Sequence, residues 1–361
     1  MAARKGGARQ VSVPEVALAP PRAHGAPPAH GVLREGPEDF FVKEILGFAP
    51  AGTGQHVLLK VRKRNANTVW VARELARVAG CRSADVGYAG LKDRRAVVVQ
   101  WFSVPRPRAS IDWQELRGAE FEILEAHDHS RKLPRGALAG NEFAVRVRAT
   151  AGDGAELAAL LAPRLQAIAE RGVPNYFGPQ RFGRECANLA RAAELPQLGR
   201  SERSLVLSAV RSVIFNAVLA KRVSAGTWDT LLGGDLANLD RRGSVFAVPE
   251  EGADETLSAR CTRLEIHPTG PLWGKGQPQT AGKVLALESR VADRLGAYAG
   301  LCAAADMEQE RRALRFTAHD LSCAAEPQGV VLRFRLGRGC FATTLLRELI
   351  TTAGEAEPPP E

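Results

Sequence analysis

Polar and apolar residues alternate cleanly along Phe143-Ala-Val-Arg-Val-Arg148. Phe143, Val145 and Val147 fall on one face and Arg146 and Arg148 on the other, the pattern of a strand with a core side and a charged side. The same period returns late in the chain, in Val330-Val-Leu-Arg-Phe-Arg-Leu336. Ala96 to Val104 is a β-branched, almost wholly apolar run, and Phe121 to Ala126 reads as a shorter strand. Near the start, Pro37-Glu-Asp-Phe-Phe-Val-Lys-Glu44 leads through Gly52-Thr-Gly-Gln-His56 into His56-Val-Leu-Leu-Lys-Val-Arg62, which predicts a hairpin. Phe40 and Phe41 are neighbours on that first strand, so one ring is expected in the core and one toward a ligand.

Helical spacing takes over elsewhere. Val71, Leu75 and Val78 recur behind an Asn67-Thr68 cap, with Gly80 as the stop. Ala155 to Arg171 is helical by pattern, with Pro163 expected to kink or divide it. Ser201 to Val223 carries Leu207, Val210, Ile214, Ala217 and Val218 on one face, and Ala281 to Arg312 is again helical. Cys340 to Ile350 reads as a strand turning into a helix. The middle of the chain is thus helix-rich between strand-rich flanks. A strand as late as Val330 to Leu336 would leave its backbone groups unpaired in its own half, so it is expected to rejoin the first sheet.

A chain of 361 residues suggests two domains. Apolar content of 45% and charged content of 25% are ordinary for a globular protein. No uninterrupted apolar run approaches the roughly 18 residues of a membrane span, and no apolar leader opens the sequence, so a cytoplasmic protein without a membrane partner is expected. Six cysteines are scattered without a C-x-x-C pair, which suits a reducing compartment and argues against a zinc ribbon. Lys and Arg outnumber Asp and Glu by 49 to 40, a net charge of +9, which points weakly to a polyanionic partner. Residues 1–31, rich in Ala, Pro and Arg, read as a disordered basic tail, and residues 355–361 as a second unfolded end.

Charge and punctuation pick out a few places where chemistry could sit. Tyr88-Ala-Gly-Leu-Lys-Asp-Arg-Arg-Ala-Val-Val-Val-Gln100 reads as a strand end, a glycine-bearing turn and a second strand, with Asp93 enclosed by Lys92, Arg94 and Arg95. Nearby cations favour an ionised carboxylate, which on a turn can act as a nucleophile or an electrostatic anchor. A solvated turn whose charges satisfy one another reads the same way. His127 and His129 share a strand face, but no further ligand is placed by the sequence, so no metal is expected. Arg131-Lys-Leu-Pro-Arg-Gly136 is a basic loop whose Arg131 and Lys132 could meet phosphates. Asn175-Tyr-Phe-Gly-Pro-Gln-Arg-Phe-Gly183 mixes aromatics, amides and a cation in a way that could stack a base or pack a domain junction.

Taken in order, these segments resemble the TruD-type tRNA pseudouridine synthases. The matching residues are Pro37-Glu-Asp-Phe40, Gly54-Gln-His56, Ala89-Gly-Leu-Lys-Asp-Arg94 with Gln100, and Gly136-Ala-Leu with Gly140-Asn141. They continue through Asn175-Tyr-Phe-Gly with Gln180-Arg-Phe-Gly183, Arg211-Ser with Phe215-Asn216, and Phe341-Ala-Thr with Arg347-Glu348. The resemblance spans about 32–354. It implies an α+β fold: a catalytic domain with a bent, mostly antiparallel sheet flanked by helices, interrupted by a helix-rich inserted domain. It implies Asp93 as nucleophile, Phe40, Asn141 and Phe341 as uracil-binding residues, and uridine-13 in the D-arm of tRNA as substrate. Lys92, Arg94, Arg131, Lys132, Tyr176 and Arg181 are expected to contact the RNA. The protein is expected to act as a monomer.

The chemistry fits those residues. Pseudouridine formation breaks N1–C1′, turns the uracil and joins C5 to C1′, with no redox change and no external group, so no cofactor is expected. The target base must leave its stack, and aromatic side chains can replace the stacking it loses. Asp93 can attack C1′ or assist departure of the base through a glycal. The rival readings are a non-catalytic tRNA binder or chaperone, and a metal-dependent hydrolase using Asp93 with His127 and His129. The expected catalytic domain is 32–171 with 316–354, the expected insert is 172–315, and the tRNA is expected in the cleft between them.

Overall fold

The computed structural model describes residues 13–352. By contacts along the chain they divide into two compact units. One holds 27–165, 318–339 and the residues from 349 onward; the other holds the residues up to 26, 166–317 and 340–348.

The first unit is built on one large sheet. Its path runs His319–Glu326, Gly329–Gly337, Leu138–Ala149, Phe40–Leu46, Val97–Pro105, His56–Arg64, Phe121–His129. Most pairs are antiparallel; Phe40–Leu46 beside Val97–Pro105 and Ala29–Leu33 beside Ile350–Thr351 are parallel. Gly329–Gly337 pairs along its whole length with Leu138–Ala149, Val330 opposite Val147 and Leu336 opposite Asn141. The expected hairpin between residues 37–44 and 56–62 does not form, because Val97–Pro105 lies between the two strands and pairs with both. The reason is burial: residues 98–104 are all buried, and so apolar a strand is most stable with a partner on each edge. Helix Thr68–Ala79 covers one face of this sheet, capped as expected by Asn67, whose side chain accepts from the Val69 N–H, and closed by left-handed Gly80. Val71 and Leu75 pack against Leu59, Val61, Phe102 and Ile123. On the charged side of Leu138–Ala149, Arg146 and Arg148 converge on buried Asp39. Burial of that carboxyl disfavours its charge, but the Gly36 N–H and Arg148 outweigh it and hold the pKa below the usual carboxylate value.

The second unit is organised around helix Arg200–Ser224, which buries Val206, Val210, Ile214, Phe215 and Leu219 with Phe182, Leu189, Trp228 and Tyr298. This is the one helix among the described residues long and apolar enough to span a membrane by composition, and most of that window is core. The unit is less helical than its composition suggests. Val245–Ala247, Leu236–Leu239, Ile266–Leu272 and Glu310–Ala313 form a four-stranded sheet, and Val173–Pro174 pairs with Arg315–Phe316. Ile266–Leu272 contains two prolines, Pro268 and Pro271; they are tolerated in a strand because each half has a single paired neighbour.

Four further expectations change. Part of the supposed basic tail is structured: helix Glu15–Leu18 seats Ala17 in the core around Arg200–Ser224, and Ala29–Leu33 is a strand. Residues 1–12 and 353–361 lie outside the described residues. Gly154–Arg171 is one helix with Pro163 inside it, so the proline does not divide it. Phe341 opens a helix, Ala342–Leu349, rather than ending a strand. Residues 340–348 group with the second unit rather than with the flanking strands, because Arg347 donates to the Pro20 carbonyl and Glu348 accepts from the His24 N–H, both within that unit.

Candidate active site

Asp93 sits on the loop joining the short strand Gly87–Tyr88 to Val97–Pro105. Loops are usually the mobile part of a site, yet buried side chains hold this one through its backbone. Thr68, at the first turn of its helix, accepts from the Lys92 N–H (3.1 Å) and donates to Gln100 (3.1 Å). Gln100 in turn donates to the Gly90 carbonyl (2.8 Å). Lys63, wholly buried, donates to the carbonyls of Asp93 (2.9 Å) and Ala66 (2.7 Å). Burial brings the Lys63 pKa down to about 8, with the charges of Asp93 and Glu44 pulling the other way. The Gly136 N–H closes the set on the Ala89 carbonyl (2.7 Å).

The carboxylate itself is half exposed and accepts from Arg34 at 3.0 Å. The Arg34 guanidinium also lies 4.0 Å above the Phe40 ring. The cations beside Asp93 in sequence do not form its ion pair. Lys92 turns inward to Glu44 (3.1 Å) and to the Asn141 carbonyl oxygen (2.7 Å), while Arg94 and Arg95 are exposed. Successive residues of an extended loop point to opposite sides, so sequence adjacency was a poor guide here. Glu44 is 2% exposed; burial pushes its pKa up, against the pull of the Lys92 charge and the Trp101 N–H.

Phe40, Asn141 and Asp93 therefore fall within one network, reached through Arg34 on one side and Lys92 on the other. Arg34, Glu44, Lys63 and Thr68 escaped the reading from sequence. Two buried charges on strands flanking a charged loop were the signal that could have found Glu44 and Lys63. Phe40 is covered rather than open: its ring is 2% exposed, edge-on to Phe143 at 6.1 Å. Phe41, its neighbour on the strand, is the less buried of the two.

The expected RNA contacts divide. Arg94, Arg131 and Lys132 are exposed. Lys92 is occupied as described, and Tyr176 is a core residue at 1% exposure, its phenol pKa raised by burial. Tyr176 is therefore corrected from a contact to a packing residue: the Asn175–Gly183 motif spends its first aromatic on the core. The next, Phe177, is pinned by Asn216, which accepts from its N–H (2.9 Å) and donates to its carbonyl (3.0 Å). Phe341 packs within the second unit, its ring 6.3 Å from that of Phe177. Arg181 also lies over Phe177, 5.1 Å from the ring centre. His127 and His129 have separate partners: His129 stacks on Phe48 (5.3 Å) and His127 meets Glu125 (3.1 Å). No group of three metal-ligating side chains occurs among the described residues.

A mixed sheet carrying a loop-borne carboxylate with an arginine partner, and a second unit threaded into the chain, defines a class of protein. The sequence profile of tRNA pseudouridine synthase D (TruD) matches residues 22–195 and 188–349. A tRNA pseudouridine synthase D of Methylococcus capsulatus is 44% identical over 339 residues, 91% of this chain and 94% of its own length. One of Ectopseudomonas mendocina is 44% identical over 96% of this chain and 99% of its own. The crystal structure of a TruD protein from Methanosarcina mazei superposes with a TM-score of 0.72 over 94% of this chain and 98% of its own, at 22% identity, and so shares the α+β fold. The chain belongs to the tRNA pseudouridine synthase D family, a family of enzymes.

Proposed function

We propose that this protein converts a uridine of tRNA to pseudouridine, at position 13 of the D-arm, with Asp93 as the nucleophile. The observation that carries the reading is the loop 89–96: a solvent-accessible carboxylate whose backbone is fixed by Thr68, Gln100 and Lys63. Fixing a nucleophile through its main chain keeps its side chain free for substrate while removing the entropy of searching for the attacking pose. In this reading Arg34 orients the Asp93 carboxylate before substrate arrives. Asn141 has its carbonyl oxygen taken by Lys92, which leaves its amide hydrogens for a uracil carbonyl. A base removed from its stack needs apolar surface in place of the stacking it loses; we assign that role to Phe341 from its place in the family motif, Phe40 being covered. Asp93 displaces the uracilate from C1′ or assists its departure, and the turned base bonds C1′ through C5, any Asp93–C1′ bond breaking as that bond forms. Nothing is oxidised: C5 gives up one proton and N1 takes up one. We also read residues 172–315 as an insert in a discontinuous catalytic domain.

Asp93→Asn tests the assignment. The Arg34 pair is half exposed, so its loss costs at most about 1 kcal/mol of stability. The variant is expected to fold and to bind tRNA like the parent, and to form no pseudouridine by primer-extension mapping. Turnover near the parental rate would refute Asp93 as nucleophile.

A further inference from the structure

Arg200, Arg203, Ser204, Ser208 and Arg211 recur at three- and four-residue steps on helix Arg200–Ser224, so they share one side of it. From Arg200 to Arg211 the stripe is about 16 Å long at 1.5 Å per residue. It lines a concavity of about 570 Å³ that Arg181 and Arg312 also line. Five of its twelve lining residues are arginines and none is acidic.

Arg181, Arg200 and Arg203 lack a carboxylate partner among the described residues. Arg211 meets Glu310 at 3.1 Å and the Leu272 carbonyl at 2.7 Å, but its buried Nε has no hydrogen-bond partner. Arg181 donates to Ser208 (2.9 Å) and has no carboxylate partner among the described residues. Arg200 and Arg203 are exposed and make no ion pair among those residues. Like charges gathered on one wall repel, and uptake of an anion relieves them. Guanidinium groups present paired N–H donors that match phosphate oxygens, with serine hydroxyls as further donors.

We propose that this arginine-lined concavity binds consecutive phosphodiester groups of an RNA strand. Three features favour a strand over a lone phosphate. The stripe is several times longer than one phosphate group. Leu207, Leu272 and Met307 add apolar surface suited to a ribose or base. Phe177, covered by Arg181 and by Arg312 (4.2 Å), is in ring contact with Phe341. The last feature rests on the proposed role of Phe341 in holding the target base, since the strand must continue away from that nucleotide.

The test compares the full chain with Arg200→Gln/Arg203→Gln, two exposed positions whose change spares the core. Arg290→Gln/Arg294→Gln, on helix Gly282–Arg294, removes the same charge away from the concavity. Affinity for a tRNA transcript is measured from 50 to 300 mM salt, with thermal melts confirming the fold. Losing two phosphate contacts should flatten the slope of log K against log salt by about 1.5 and weaken binding at 150 mM roughly tenfold. The control pair should leave the slope within about 0.5 of the parent. Equal slopes for all three proteins would overturn the proposal. So would ATP, used as a free-nucleotide probe, binding the parent and not Arg200→Gln/Arg203→Gln while the tRNA slope stays unchanged. Pseudouridine mapping on the parent separates the two readings: a flattened slope without modification supports the phosphate site and removes the base-site reading, whereas modification with an unchanged slope removes the phosphate site alone.

Discussion

Lys63→Met isolates what the buried ammonium does for the Asp93 loop. The substitution nearly conserves volume in a site of zero exposure, so packing changes little. It removes donors from the Ala66 and Asp93 carbonyls; leaving such a group unsatisfied costs about 1–3 kcal/mol when buried, and less for the partly exposed Asp93 carbonyl. It also removes a charge whose burial lowers the pKa from 10.5 to about 8, a penalty of about 3 kcal/mol at neutral pH. The two effects nearly cancel, so urea unfolding at pH 7 should give a stability within about 2 kcal/mol of the parent. The pH dependence separates them. Between pH 8 and 10.5 the unfolded parent holds the Lys63 proton that the folded parent has released, so parental stability rises with pH from this group. The variant lacks that gain, and the parent-minus-variant difference should grow by about 3 kcal/mol across the window. Single-turnover tritium release from C5-tritiated uridine in tRNA should fall ten- to a hundredfold at pH 7, because one tie on the Asp93 backbone is gone. Parallel stability curves for the two proteins would refute the buried-charge argument, and an unchanged rate would refute the positioning role.

Thr68→Val keeps shape but breaks the link between the Lys92 N–H and Gln100; a loss of about 1–3 kcal/mol and a rate loss larger than the loss of tRNA affinity are expected from melts and single-turnover assays. Asp235→Asn leaves Arg222 buried without its charge partner, and denaturant unfolding should show about 3–5 kcal/mol of destabilisation. Chelator treatment followed by desalting should leave pseudouridine formation intact; activity restored only by one added metal would overturn the expectation that no metal takes part.

Local pattern was enough for most elements of this protein. Period-two alternation marked Leu138–Ala149 and Gly329–Gly337, and a cap, a stripe and a glycine marked Thr68–Ala79, because strand and helix periods are imposed by each residue's own neighbours. The ordered motifs also marked Asp93 and its loop. Pairing was another matter. Nothing within residues 37–62 says that Val97–Pro105 will come between the two strands, since a strand's edge hydrogen bonds are made by main-chain groups that every sequence carries. The partners of individual side chains were likewise decided only by the fold. Lys92 adjoins Asp93 in sequence yet serves Glu44 and Asn141, while Arg34, 59 residues away, holds the carboxylate. Tyr176 and Phe177 are adjacent aromatics in one motif, and the core took the first whole. Side-chain chemistry and local period are properties of the sequence, but which charge meets which depends on distances that exist only once the sheet has closed its register.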